Sequence, residues 1–244
     1  MSEKKSYVAF HVKTGIEEKQ MADLASASKK YALNKIYFLA STKSGYETID
    51  PKKAAALIKE GKSAELSFVM KFKGPKFTPE LSVSFEPDKK GCLLCVSTIE
   101  DNLTRYFDNS SIEKDSGVLN QKMFLDFCKD VYNIFHPLIG FSGRNDFEGD
   151  STKDWLSKLE IRYLSSIMFF GHDYVKKYGK VQLLKTYGAW KIDAFKDGGV
   201  MIALQPMMSA WGIGSKEKEF VKASSHLLAL FKIKHDKENK WLFY

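Results

Sequence analysis

The stretch AWKIDAFKDGGVMIALQP, residues 189–206, decides the fold because it predicts two antiparallel strands joined by a tight turn. Asp197, Gly198 and Gly199 are typical of such a turn, since glycine adopts left-handed backbone angles at little steric cost. Residues 200–204 are apolar throughout, which indicates a strand buried on both faces. Strands joined by so short a turn run antiparallel, so the sequence predicts an antiparallel sheet.

The segment after this hairpin is more apolar than a surface loop usually is. It reads MMSAWGIG at 207–214, and its large apolar side chains are Met207, Met208, Trp211 and Ile213. Loops often carry binding residues, and Trp and Met are enriched where proteins meet. Two interpretations stay open: the loop covers the core, or its side chains form a contact surface, and the direction of Trp211 distinguishes them.

The order of elements around the hairpin occurs twice in the chain. Residues 79–136 and residues 187–232 each predict a strand, a glycine turn, a second strand, a loop and a long helix. Either a duplication or chance explains this, because the order is common in α+β proteins. We therefore predict an α+β fold with mixed, mainly antiparallel sheets and packed helices, with two related α+β units as an open alternative.

We expect three segments along the chain, or alternatively one compact domain. They are an N-terminal βαβα-like segment at 1–62, a sheet-plus-helix unit at 63–139 and a second such unit at 140–244. Periodicity and turn residues predict strands at 5–13, 34–41, 65–73, 79–87 and 91–99, and helices at 16–31, 51–60, 119–137, 171–179 and 216–232. We expect loops at 101–117 and 138–155, and either a strand or a buried segment at 160–170.

The composition is that of an ordered globular protein. Hydrophobic residues make up 44% and aromatic residues 14% of the chain, whereas disordered chains are poor in both. The N-terminal residues MSEKKSYVAF lack the apolar core of a signal peptide, and the most apolar runs are too short to cross a bilayer. We therefore expect a cytoplasmic protein with no membrane association.

The basic charge raises the question of nucleic-acid binding. The formal net charge is +8, and most of the excess lies in residues 1–90. Almost all of the cations are lysines, with arginine only at Arg105, Arg144 and Arg162, and bidentate recognition of phosphates and guanines favours arginine. The lysines also alternate with acidic residues, as on a solvated helix face. Weak nucleic-acid binding by the Lys-rich N-terminal region is therefore a minor alternative.

The cysteines and histidines do not form a metal motif. Cys92 and Cys95 read CLLC, but no second pair follows at zinc-site spacing, and in a strand these two residues point to opposite faces. The odd number of cysteines, with Cys128 as the third, indicates buried reduced thiols. We expect no metal ion and no disulfide framework.

One polar stretch offers a candidate site of a different kind. NDFEGD places Asp146 and Glu148 close to Arg144, and together with His172 they form a possible polar site. His172 also begins a predicted helix that we expect Asp173 to cap. The alternating acids do not continue into a calcium loop, because serine occupies the positions that require glycine and glutamate. No dinucleotide fingerprint, P-loop or nucleophile elbow is present, so we expect no cofactor. An enzyme of unknown class with this polar site remains an alternative.

The C-terminal half resembles a known group of proteins. IMFFGHDYVKKYG, then KDGGVMIALQP, then a glycine-containing loop and EFVKASSHLLAL are similar to the C-terminal part of a bacterial immunity-protein family linked to type VI and polymorphic toxins. GFSG at 140–143 and the helix before it look similar too, so the resemblance spans about residues 120–232. The sequence differs at 167–168, where Ile-Met replaces an expected Trp, and in its apolar loop at 207–214. The resemblance implies an α+β fold and a protein-binding role.

These observations favour a non-enzymatic binding protein. The expected partner is another protein or a second copy of the chain, with residues 207, 208, 211 and 213 as the predicted contact surface. The alternatives are the enzyme with a polar site near 140–150 and the weak nucleic-acid binder.

Overall fold

The computed structural model describes residues 5–13, 15–43, 45–71, 80–88, 91–99, 111–143, 156–162, 164–205 and 217–233. The chain divides into two compact units, Met1–Pro137 and Leu138–Tyr244. In each unit the described strands form an antiparallel sheet with packed helices, which confirms the predicted α+β class. The division into three segments stays a prediction.

The first unit contains a sheet in the strand order β3-β2-β4-β5-β6-β1, and every neighbouring pair is antiparallel. Its strands are β1 (Lys5–Val12), β2 (Tyr37–Thr42), β3 (Gly45–Ile49), β4 (Ala64–Val69), β5 (Glu80–Asp88) and β6 (Gly91–Ile99). Its helices are α1 (Glu18–Ser28), α2 (Pro51–Lys59) and α3 (Ser111–Phe135).

One face of this sheet forms the core of the first unit. Leu66, Val83, Val96 and Val8 lie opposite one another across four strands, and none is accessible to solvent. The α3 residue Phe127 packs edge-on against Phe68 of β4 and against Tyr31, at ring-centroid distances of 5.5 and 5.3 Å. Such edge-to-face aromatic pairs stabilise a core beyond the apolar area that they bury.

The second unit has the strand order β7-β8-β10-β9, again antiparallel. Its elements are β7 (Ile139–Gly143), β8 (Ile167–Phe170), α4 (His172–Tyr178), α5 (Lys180–Leu184), β9 (Lys191–Ala194), β10 (Val200–Ala203) and α6 (Glu217–Phe231). Successive residues of a strand face opposite sides of the sheet. Phe170 accordingly contacts Phe231 of α6, whereas Phe169 stacks with Phe195, so β8 is buried on both faces.

The hairpin predicted at 189–206 is confirmed. Strands β9 and β10 pair in register, and the turn between them is closed by a hydrogen bond of 2.9 Å from the Gly199 N–H to the Asp197 carboxylate. Gly198 has φ +92°, a backbone angle that L-residues rarely adopt. Residues 200–204 are all buried, as their apolar composition predicts.

Two other local predictions are confirmed. The Asp50 carboxylate caps α2 by accepting a hydrogen bond of 2.7 Å from the Lys53 N–H. Among the cysteines, Cys92 is buried, Cys95 is half-buried on the opposite face of β6, and Cys128 is buried. Burial raises the pKa of the Cys128 thiol.

Several boundaries predicted from the sequence are wrong. The loop predicted at 101–117 is helical from Ser111 onward, because adding a residue to an existing helix costs far less than starting one. The loop predicted at 138–155 contains β7, which pairs with β8. The glycines of β7 favoured a loop in the sequence pattern. The short, exposed strand β3 was not predicted, because it lacks an alternating apolar pattern. Gly171 rather than Asp173 occupies the N-cap position of α4, and Asp173 lies in the first turn.

No helix in the described part of the chain is both long enough and apolar enough to span a bilayer.

Candidate functional site

The predicted site residues lie mainly outside the described residues. These are Met207, Met208, Trp211 and Ile213 of the apolar loop, and Arg144, Asp146 and Glu148 of the polar stretch. His172 is described: it is the exposed first residue of α4, and its Nδ1 lies beside Gly198 of the hairpin turn. Both predicted sites therefore stay predictions.

A surface that the sequence reasoning missed lies on α5 and the turn after it. Val181, Leu184 and Tyr187 are 62%, 38% and 63% exposed and follow one another at a spacing of three residues. Val181 and Leu184 therefore lie on the same side of α5, and Tyr187 lies in the turn after the helix ends at Leu184. Scattered exposed apolar residues are normal on protein surfaces, but a continuous group is typical of a contact surface. We call these three residues the α5 row.

The segment that carries the α5 row packs against one side of α6. His226 Nε2 hydrogen-bonds the Gln182 carbonyl at 2.9 Å, and the Lys222 ammonium lies 5.9 Å from the centre of the Tyr187 ring. Gly188 lies against the Glu219 carbonyl, and a Cβ at this position would come within 2.3 Å of that oxygen. Positions 219, 222 and 226 share one side of α6. The α5 segment therefore runs antiparallel along that side.

The inner side of the same segment is buried. Leu183 and Thr186 are inaccessible to solvent, and the Thr186 hydroxyl donates a hydrogen bond of 2.8 Å to the Leu183 carbonyl. The row is thus presented on a segment that is fixed from below by the core and from the side by α6.

Lysines border the α5 row. Lys180 precedes the row, Lys185 lies between Leu184 and Tyr187, and Lys218, Glu219 and Lys222 are exposed on α6. Residues 218 and 222 lie one helical turn apart and so share a side of that helix. The described part of this surface therefore combines an apolar centre with a border of four lysines and one glutamate, Glu219.

A cleft opens in the second unit beside the ends of α4 and α6, and we call it the α4–α6 cleft. Its volume is about 530 Å³, and it is lined by Glu160, Ile161, Arg162, Lys177, Tyr178, Leu230, Phe231 and Lys232. Among the described residues, its lining thus combines apolar side chains with three cations and one carboxylate.

One wall of this cleft is held by hydrogen bonds from α4. The Tyr178 hydroxyl donates to the Leu159 carbonyl at 2.9 Å, and the Lys177 ammonium donates to the Lys158 carbonyl at 2.7 Å. Tyr178 also packs edge-on against Phe231 at 4.9 Å between ring centres. Burial raises the pKa of Tyr178, so its hydroxyl remains protonated and keeps its hydrogen bond to the Leu159 carbonyl.

Lys232 of the cleft lining and Leu159, whose carbonyl accepts the Tyr178 hydrogen bond, have left-handed backbone angles that glycine normally adopts. Leu159 has φ +52° and Lys232 has φ +58°. Lys232 ends α6, where the Ile233 N–H bonds the Leu228 carbonyl at 3.0 Å, a closing pattern in which glycine is preferred. A non-glycine residue at such a position costs about 1–2 kcal/mol.

A second concave region lies in the first unit. Its volume is about 480 Å³, and its mainly apolar lining includes Ala32, Phe38 and Ile49. Tyr37 at its edge is 38% exposed, and the Lys35 ammonium lies 5.8 Å from the centre of the Tyr37 ring. Among the described residues, the charged members of this lining are two lysines, Lys29 and Lys35, with no acidic side chain beside them.

Among the described residues, no group of three histidine, cysteine, aspartate or glutamate side chains is arranged to hold a metal ion.

Comparisons with known proteins identify no family. No family model matches the chain, and no curated protein matches it. Among solved structures, the chain is similar to one in the crystal structure of the toxic C-terminal tip of CdiA from Pseudomonas aeruginosa in complex with immune protein. The identity is 10%, the match covers 59% of this chain and 88% of that chain, and the TM-score is 0.36. A likeness of this size assigns neither a fold family nor a partner.

Proposed function

We propose that this chain is a non-enzymatic protein that binds another protein, and that the α5 row is part of its contact surface. The observation that carries the proposal is the exposure of Val181, Leu184 and Tyr187 on a segment fixed by α6 and the core. A pre-ordered surface loses little conformational entropy on binding. Tyrosine is among the residues that contribute most to binding energy at interfaces.

The border of lysines specifies the kind of partner. Complementary charge steers association and excludes like-charged surfaces. Lys180, Lys185, Lys218 and Lys222 around the row therefore select a protein surface that is acidic around an apolar patch.

We propose further that the bound protein is a toxin that this chain neutralises. The support is the resemblance of residues 120–232 to an immunity-protein family. The apolar loop at 207–213 is the second proposed contact, and Trp211→Ala is its test: a partner that binds the variant as well as the wild type would remove the loop from the interface.

The experiment for the α5 row is a capture assay with matched variants. Purified wild type, Val181→Glu and Tyr187→Glu are used as baits, and Leu33→Glu is the control because Leu33 is an equally exposed apolar residue of the first unit. We expect one partner to be captured by the wild type and the control but lost from both α5 variants. Equal capture by all four proteins, or no partner and no self-association of the wild type by ultracentrifugation, would contradict the proposal.

The toxin hypothesis has its own readout. The captured protein is expressed alone and together with this chain, and growth of the host is measured. We expect arrest in the first case and growth in the second. Normal growth in the first case removes the toxin hypothesis and leaves the binding surface standing.

A further inference from the structure

We propose that the α4–α6 cleft binds a small organic anion, with the negative group held by Arg162 and Lys232 and the apolar portion against Ile161 and Phe231. This site lies outside the proposed protein-contact surface and needs no protein partner.

The charges of the lining point to an anionic group. Among the described lining residues, Arg162, Lys177 and Lys232 are cations and Glu160 is the one carboxylate, and the Lys177 ammonium already donates to the Lys158 carbonyl. Within the described part of the chain, no ion pair joins Arg162 or Lys232 to another residue. A planar guanidinium presents paired N–H donors that match a phosphoryl or carboxylate group. The carboxylate of Glu160 adds an acceptor for a hydroxyl or amine of the same ligand.

The apolar part of the lining points to an organic ligand rather than a bare ion. Ile161 and Phe231 present side chains that are almost fully buried, and the cleft volume of about 530 Å³ lies in the range of small-molecule sites. An inorganic anion contacts only the cations, whereas a ligand with a hydrocarbon or aromatic body fills the remaining volume.

The backbone of Lys232 gives a second, independent indication. Glycine is the preferred residue where a helix closes as α6 does, yet the chain places a lysine with φ +58° at this point, on the rim of the cleft. Strained backbone of this kind clusters at functional sites, where the side chain contributes something other than stability.

The test uses phenyl phosphate and phenylacetate as probes, with inorganic phosphate and phenol as comparisons, and binding is measured by calorimetry and by NMR shifts. We expect phenyl phosphate or phenylacetate to bind with a Kd of about 1 mM or below, and the tighter of the two identifies the anionic group. Inorganic phosphate and phenol should each bind at least about tenfold more weakly, because each satisfies only half of the site.

The variants are Arg162→Gln, Lys232→Gly and the control Lys196→Gln, an exposed lysine of the β9–β10 turn. The first two should weaken binding about tenfold or more, whereas the control should bind as the wild type does. Lys232→Gly should also keep or raise the melting temperature, so its loss of binding cannot come from unfolding.

The proposal would be overturned if the wild type bound neither aromatic anion at about 10 mM. Unchanged binding in both cleft variants would also contradict it. So would binding of inorganic phosphate as tight as that of phenyl phosphate. None of these results bears on the α5 row, whose variants Val181→Glu and Tyr187→Glu should bind the probes normally.

Discussion

At the scale of single residues, contacts between near neighbours can be predicted from the sequence, whereas contacts between distant residues cannot. Asp50 and Asp197 act as their sequence context predicts, because capping and turn formation involve neighbours within three residues. Tyr31 is different: it is 4% exposed, and its hydroxyl donates a hydrogen bond of 2.6 Å to Asp130, a residue 99 positions away. No local pattern indicates such a contact.

Tyr31 makes the folded state sensitive to alkaline pH. Burial, followed by the hydrogen bond to Asp130, raises the pKa of Tyr31 above its ordinary value of 10. The folded protein therefore keeps a proton that the unfolded chain loses, and the stabilisation present below about pH 10 is lost as the pH rises further. We expect the free energy of unfolding, measured with urea from pH 8 to 11, to fall less steeply in Tyr31→Phe than in the wild type.

The control for this measurement is Tyr46→Phe, because Tyr46 is 71% exposed. Its pH dependence should equal that of the wild type. An identical slope in Tyr31→Phe would show that Tyr31 does not cause the alkaline loss.

At the scale of elements, the strength of the local pattern decides what can be predicted. The β9–β10 hairpin has a turn motif between apolar strands, and both its type and its position are confirmed. Strand β7 lacks a pattern of its own, since two of its five residues are glycine; its pairing with β8 makes it a strand. The start of α3 at Ser111 likewise depends on the amphipathic part of the same helix that follows, rather than on the polar residues of its first turns.

The packing of the α5 segment on α6 depends on one close approach. Gly188 has φ +97°, and a Cβ there would come within 2.3 Å of the Glu219 carbonyl oxygen. Because backbone atoms must move to relieve such a contact, we expect Gly188→Ala to lower the free energy of unfolding by more than about 2 kcal/mol.

Gly61→Ala is the matched control, since Gly61 has φ +78° but no atom within 4 Å of the position of a Cβ. It carries the backbone strain alone, and we expect a loss of about 1 kcal/mol. Both values are measured by urea unfolding. Equal losses in the two variants would show that the approach to α6 contributes nothing.

At the scale of the whole molecule, each unit is organised around aromatic side chains from its own sheet and helices. Phe127 contacts Phe68 and Tyr31 in the first unit, and Phe169 stacks with Phe195 in the second. The aromatic richness of the sequence predicts an ordered core, but the partners of each ring come from distant parts of the chain.

Removing the ring of Phe127 or of Phe169 should therefore destabilise the folded protein. We expect Phe127→Ala and Phe169→Ala to lower the free energy of unfolding by about 3–5 kcal/mol each, because both residues are completely buried and the cavity left behind cannot be filled. Urea unfolding followed by circular dichroism measures the loss. Leu33→Ala, at an exposed position, should stay within about 0.5 kcal/mol of the wild type; a comparable loss there would contradict the assignment of the cores.

The sequence by itself determined the class of fold, the central hairpin, the capped helix α2 and the placement of Cys92 and Cys95 on opposite faces of a strand. Each of these depends on contacts between near neighbours or on the period of apolar residues, which a sequence displays directly. The tertiary structure decided where the candidate surfaces lie. Val181 and Leu184 share a side of α5 and Tyr187 follows in the turn, but only the folded structure shows that all three side chains are exposed. The α4–α6 cleft likewise assembles Arg162, Lys177 and Lys232 from separate segments, because folding brings together charges that the chain keeps far apart.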